Sequence, residues 1–280
     1  MQQEISMAES INEDDEDYTV GGVAPEKPKP KRISMVIWGP SGIGKTTLAA
    51  TMPGRKALIN FDPDGPSSIP NRDDVTVFDL STIKDSWVAK FKDEDPLNIE
   101  RHLHRFDSII VDSMSTLTEK TLARGITQTK GATVERPSPG AYMARNNLAI
   151  TFVRNMLSLT AKYDKHICFI AHEGAPDKTE EGNIINYTMS LGGQLPGQMA
   201  LRINECWPMF EDGKNRKMII CRKARLRDPA KSRMFATTPS NVEFEWKFDP
   251  EDFDNPNNMT IADWYNQWVD GGFVKLPLPK

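Results

Sequence analysis

Eight consecutive residues, Gly39-Pro40-Ser41-Gly42-Ile43-Gly44-Lys45-Thr46, complete the pattern G-x-x-x-x-G-K-[ST], and each type has a physical task there. Glycines let successive backbone N–H groups turn inward and converge on phosphate oxygens. A helix opening at Lys45 adds the positive end of its dipole. Lys45 places a compact charge on the β- and γ-phosphates, and the Thr46 hydroxyl, followed by Thr47, can ligate Mg2+. These residues predict a binding site for ATP with Mg2+. No Asn-Lys-x-Asp occurs in the chain, which disfavours guanine.

A second acidic site is expected to complete the metal's environment. Ser108-Ile109-Ile110-Val111-Asp112 is an apolar run ending in a carboxylate, 66 residues beyond Thr46. A buried strand would deliver Asp112 beside the phosphate loop, orienting Mg2+ through a water. The alternative is a strand-ending Asp that caps the next helix. Attack of water on the γ-phosphate also needs a base or positioning group. The place directly after Asp112 holds Ser113, so Asp62 and Asp64 in Asn60-Phe61-Asp62-Pro63-Asp64-Gly65 become the candidates.

Several elements must position these groups. Strands are expected at Ser34–Trp38, Ala57–Phe61, Val75–Phe78, Ser108–Val111 and Ile167–Ala171. Further strands are expected at Arg202–Phe210, Met218–Arg222 and Val242–Phe248. A long helix opens at Ser138-Pro139, where a capping hydroxyl precedes a proline whose missing N–H costs nothing. Leu148, Phe152, Met156 and Leu159 give it one buried face. Ile261, Trp264 and Trp268 share a face of another helix near the end of the sequence. Strands alternating with helices, then strands joined by tight turns, predict an α/β fold: a mostly parallel central sheet flanked by helices, with an antiparallel C-terminal extension.

The chain has 280 residues, with 38% hydrophobic and 26% charged, enough for a packed core. No apolar stretch approaches the ~18 residues of a membrane span. Met1–Glu16 lacks the basic-then-apolar order of a secretion signal, and Cys168, Cys206 and Cys221 form no C-x-x-C pair. A cytoplasmic protein is expected. Net charge is −4, yet eight acids and no base fall in residues 1–26, so the remainder carries four more bases than acids. Residues 1–32 read as a disordered acidic tail and a basic proline-rich spacer, 33–250 as the catalytic domain, and 251–280 as a helical extension packing on it. Loops at 125–140 and 173–192 are rich in Gly, Thr, Ser, Pro and charge. Arg222, Lys223 and Arg225 lie in the densest cationic stretch, suited to nucleic-acid or nucleotide phosphates.

The phosphate loop, Asp62-Pro63-Asp64-Gly65 after the second strand, and Ile110-Val111-Asp112-Ser113 together resemble the RecA-like P-loop ATPases. The likeness spans roughly residues 34–235 and is nearest to the bacteriophage Sak-type group, whose strand ending in His-Glu is similar to Phe169-Ile170-Ala171-His172-Glu173. The resemblance implies Mg2+-dependent ATP hydrolysis in phage recombination or replication. It gives Asp64 the place of the catalytic Glu, one methylene shorter, Asp62 a supporting role, and His172 that of a γ-phosphate sensor. It makes Arg222 or Lys223 a cation reaching a neighbouring subunit's ATP, and implies a homo-oligomer, ring or filament, with nucleotide near its interfaces. Single-stranded DNA, and a single-strand-binding or annealing protein, are the implied partners, although Gly174–Leu191 is too acidic for a good phosphate grip. From another class, the rival is an ATP-dependent oligomerisation switch with little turnover and a protein partner.

Overall fold

The computed structural model describes residues 32–276 apart from 64–68, 70–71, 224–225 and 239. The tail and spacer expected over 1–32, except Arg32, and the candidates Asp64 and Arg225 therefore lie outside the described residues.

In chain order the first half contains β1 (Ser34–Gly39), α1 (Lys45–Ala49), β2 (Lys56–Asn60), β3 (Val75–Asp79), α2 (Asp85–Val88), β4 (Ser108–Asp112), α3 (Met114–Gln128) and α4 (Pro139–Lys162). There follow β5 (His166–His172), β6 (Asp177–Lys178), β7 (Ile184–Asn186), α5 (Leu195–Arg202), β8 (Glu205–Glu211) and β9 (Lys217–Ile220). The described chain closes with β10 (Phe235–Ala236), β11 (Glu243–Glu245), α6 (Ile261–Gly271) and β12 (Val274–Lys275).

The main sheet runs β11-β9-β8-β1-β5-β4-β2-β3. From β8 to β3 every neighbouring pair is parallel, while β9 and β11 are antiparallel additions at the β8 edge. This is the mostly parallel, helix-flanked sheet with an antiparallel extension that the sequence implies. β1, β2 and β4 are buried along their whole length, as a sheet covered on both faces requires. Alternate residues feed two separate layers. Val36, Trp38, Val111 and Phe169 pack with Leu117, Phe152 and Met199 of α3, α4 and α5. Met35, Ile37, Ile110 and Ile170 pack with Leu48 of α1 and Trp264 of α6.

The ends of α4 and α6 follow from their caps. Ser138 Oγ accepts the Ala141 N–H at 3.3 Å, and Thr260 Oγ1 accepts the Asp263 N–H at 3.1 Å. The first residues of α6 reach back to the segment after α1: the Ile261 N–H donates to Thr51 Oγ1 at 2.9 Å and the Ala262 N–H to the Thr51 carbonyl at 3.0 Å. Trp264 meets Trp207, Phe235 and Phe244 at ring separations of 5.3–5.7 Å.

Three sequence expectations differ from the structure. Arg202 ends a helix, and the strand expected from it begins only at Glu205; Pro196 in the first turn of Leu195–Arg202 favours helix there. The Met218–Arg222 strand stops at Ile220, and the Val242–Phe248 strand is limited to Glu243–Glu245, the edge strand, which pairs with β9 only over Met218–Ile220.

His166 at the start of β5 supplies a pH-dependent element of stability. Its Nδ1 accepts the Ile33 N–H at 3.1 Å, and burial pushes the imidazole down to about 4. The unfolded chain thus binds a proton that the folded chain refuses. Stability from this group is complete above pH 6.5 and drains away as pH falls toward 4, by at most about 3 kcal/mol. His166→Asn keeps an acceptor without titrating. Its denaturant midpoint will fall less between pH 7 and pH 4.5 than that of the parent, and identical slopes would refute the assignment.

Candidate functional site

Because their strands are parallel, Gly39, Asn60, Asp112 and His172 all arrive at one edge of the sheet, Gly39 in register with His172 and Asn60 with Asp112. Here the chain turns into the phosphate loop. A Cβ at Gly39 would collide with the Met209 carbonyl oxygen, so β8 packs on bare backbone. Gly44 has φ +103°, and a Cβ there would lie 3.0 Å from the Trp246 ring. Ser41 and Gly42 are exposed, whereas Ile43 is buried in the α1–α6 layer and anchors the loop from beneath.

Lys45 is 5% exposed. Its Nζ donates to the carbonyls of Gly39 at 3.0 Å and Pro40 at 2.6 Å, leaving one of three protons unused by these bonds. Burial pushes this ammonium down to about 8 against the opposing pull of Asp112, Asp62 and Glu173. Thr47 is buried behind it.

Thr46 Oγ1 donates to Asp112 Oδ2 at 2.6 Å. Burial holds the Asp112 carboxyl above the usual carboxylate range, with the Thr46 bond and Lys45 opposing it and Asp62 adding to it. Its place is not that of a helix cap, because Ser113 caps α3 by accepting the Thr116 N–H at 3.3 Å. Two hard oxygen donors meeting at a carboxylate whose charge is costly to bury fit Mg2+. Among the described residues no three acidic, His or Cys side chains are grouped so as to hold a metal ion, so protein ligands would be few, and phosphates and water would complete the shell, as Mg2+ prefers.

Asp62 follows β2 in a turn fixed by Asn60, whose Nδ2 donates to the Asp62 carbonyl at 2.8 Å. Its Oδ1 accepts from Ser113 Oγ at 2.9 Å and from Thr116 Oγ1, and His172 Nε2 stands 3.7 Å from its Oδ2. Burial alone would raise the carboxyl; His172, Thr116 and Ser113 together outweigh it and hold it below the ordinary range. The His172 N–H donates to Ser115 Oγ at 2.9 Å, so the start of α3 grips both β5 and the Asp62 turn. In the sequence Ser113 stands out as an empty acid position and as the end of the Ile110–Ser113 resemblance, whereas Ser115 and Thr116 do not stand out. The run Ser113-Met114-Ser115-Thr116 directly after a strand was the available signal, being a helix-start composition.

Glu173 pairs with Arg227 at 3.0 Å, both side chains being largely buried. The guanidinium lies between Tyr187 and Phe210, 4.5 and 4.6 Å from their centroids, and the Tyr187 N–H donates to the Leu226 carbonyl at 2.6 Å. The end of β5, the loop carrying β6 and β7, and the basic segment are thereby one connected unit. Tyr187 is thereby stacked on Arg227. Arg222 and Lys223 are exposed after the end of β9 remote from the phosphate loop, and Lys223 Nζ is 2.9 Å from Asp228 Oδ2. The structure thus gathers Lys45, Thr46, Asp62, Asp112 and His172 at one place and leaves Arg222 and Lys223 outside it. No helix among the described residues is long and apolar enough to cross a membrane.

Comparison with curated proteins finds no match. Among solved structures, the RadB recombinase is similar with a TM-score of 0.45 at 12% sequence identity, over 78% of this chain and 88% of that one. A family model described as an AAA domain matches residues 31–223, well over half of the sequence, from the strand before the phosphate loop to the basic segment. The chain belongs to this AAA-domain family.

Proposed function

We propose that the chain is a Mg2+-dependent, RecA-like ATPase of the Sak-type group, acting with single-stranded DNA in phage recombination or replication. In this reading it assembles as a ring or filament with nucleotide near subunit interfaces, beside a single-strand-binding or annealing protein. The observation that carries its chemistry is the 2.6 Å bond between Thr46 and Asp112 beside a buried Lys45. Bound Mg2+ would supply electrostatic stabilisation of the phosphate oxygens, held by Thr46 and, through water, by Asp112. Lys45 exchanges its loop carbonyls for phosphate oxygens. Water attacks the γ-phosphorus, the bond to the bridging β–γ oxygen breaks, and the water's proton passes to Asp64 while Asp62 fixes that turn. His172 transfers its contact from Asp62 to the γ-phosphate, and Glu173–Arg227 carries the change to the basic segment. Arg222, Lys223 and Arg225 then serve a neighbouring nucleotide or a DNA backbone.

One observation favours a slower device. Asp62 already accepts two hydroxyl bonds and sits below the usual carboxylate range, so it is a poor base, and Asp64 is shorter than Glu. An ATP-dependent assembly switch with little turnover has the same site. Turnover measured with and without single-stranded DNA, beside particle size with and without ATP, separates the two. The recombination reading expects Mg2+-dependent hydrolysis that rises with DNA. Asp64→Glu is expected to raise turnover in a detuned hydrolase and leave a switch unchanged. Absence of ATP binding would sink both.

A further inference from the structure

We propose that Lys217 is an additional phosphate ligand of the same nucleotide site, contributed by the antiparallel extension of the same chain. The inference rests on the nucleotide-binding reading and adds a residue that the phosphate-loop pattern does not contain.

The placement follows from strand polarity. β8 runs parallel to β1 and ends at the phosphate-loop edge, so antiparallel β9 must begin there. Its first residue, Lys217, is exposed. Lys217 Nζ is 3.5 Å from the point where a Cβ on Gly44 would lie, and 5.8 Å from the Trp246 ring centroid. Trp246 itself is buried against Gly44 and donates its indole N–H to the Met259 carbonyl at 2.9 Å, so it is a fixed wall under the ammonium. The adjacent cation, Arg216, is committed to Asp212 through two bonds of 2.6 and 2.9 Å. Lys217 forms no ion pair within 4.0 Å among the described residues, even though Glu211 stands opposite it in register.

The charge balance supports the same role. Gly44 is the last glycine of the cradle, whose N–H groups surround the α- and β-phosphates, whereas Lys45 serves the β- and γ-phosphates. An ammonium held on a Trp face beside Gly44 is a compact charge aimed at the first pair. Its contribution is therefore the same for ADP and ATP, and absent for adenosine.

The test uses the full chain carrying Lys217→Gln or Lys217→Arg, with affinities for Mg2+–ATP, Mg2+–ADP and adenosine measured by calorimetry. Lys217→Gln is expected to weaken ATP and ADP by a similar factor, about tenfold, the size of one charge-assisted bond. Adenosine binding and the thermal midpoint should stay unchanged, and Lys217→Arg should retain most of the affinity. ATP and ADP affinities within twofold of the parent would overturn the proposal, as would an equal loss for adenosine, which would place the contact on the base or ribose. If Lys45→Ala abolishes binding while Lys217→Gln does not alter it, only this inference fails. If the parent binds neither nucleotide, the nucleotide-site reading falls with it.

Discussion

If the chain is the proposed Mg2+-dependent ATPase, Asp112→Asn will cut turnover severely while leaving the ligand-free protein as stable as the parent or more so. The carboxylate is 7% exposed and burial holds it above the usual range, so its charge is a cost to the folded chain. Asn retains an oxygen to accept the Thr46 hydroxyl and removes that charge, a gain on the order of 1 kcal/mol. What it loses is attraction for a cation positioned on the phosphates, which lowers turnover by roughly a hundredfold to a thousandfold. A structural acid would behave the opposite way, since removing it would lower the melting temperature. Thermal melts without nucleotide, set beside hydrolysis rates with Mg2+, decide the matter. A destabilised variant with unchanged turnover would refute the metal role.

Lys45→Ala will weaken ATP binding by about a hundredfold or more, the loss of a charge bonded directly to phosphate. A finer result concerns pH. Burial puts the ammonium near pH 8 before nucleotide arrives, and a bound triphosphate raises it. Below pH 8 the proton is already in place; above it, binding must take one up. ATP affinity will therefore decline as pH climbs from 7 to 9, approaching tenfold per unit beyond 8. Lys45→Arg carries a charge that does not titrate in this range and will flatten the profile. Titrations at pH 7, 8 and 9 with both proteins test this, and a flat profile for the parent would count against a buried, depressed Lys45.

Much of the site was legible because it depends on local pattern and parallel order. β1 and the phosphate loop are contiguous, and an apolar strand ending in Asp112 or His172 must deliver that residue to the same edge as Gly39 once the sheet is parallel. The supporting hydroxyls were less legible. Ser113, Ser115 and Thr116 are common residues whose bonds to Asp62 and His172 depend on where α3 begins against two other strands. α3 itself mixes Thr with apolar residues, so its periodic signal is weak. Reading Arg202–Phe210 as one strand failed because burial of β8 begins at Glu205, while Met199 and Ala200 bury a helical face instead. Lys217 was not distinguishable from any exposed lysine, since only the register of β8 with β9 sets it beside a glycine far earlier in the chain.

The two bonds from the first residues of α6 to Thr51 have a bearing on how the protein is made. Ribosomes emit the triphosphate-gripping turn well before the aromatic floor that Trp246 and Trp264 give it. Until those later segments emerge, one side of the growing sheet stays greasy and uncovered, so a nascent chain is exposed to aggregation and chaperone capture, and cellular ATP can reward folding only once they have left the ribosome.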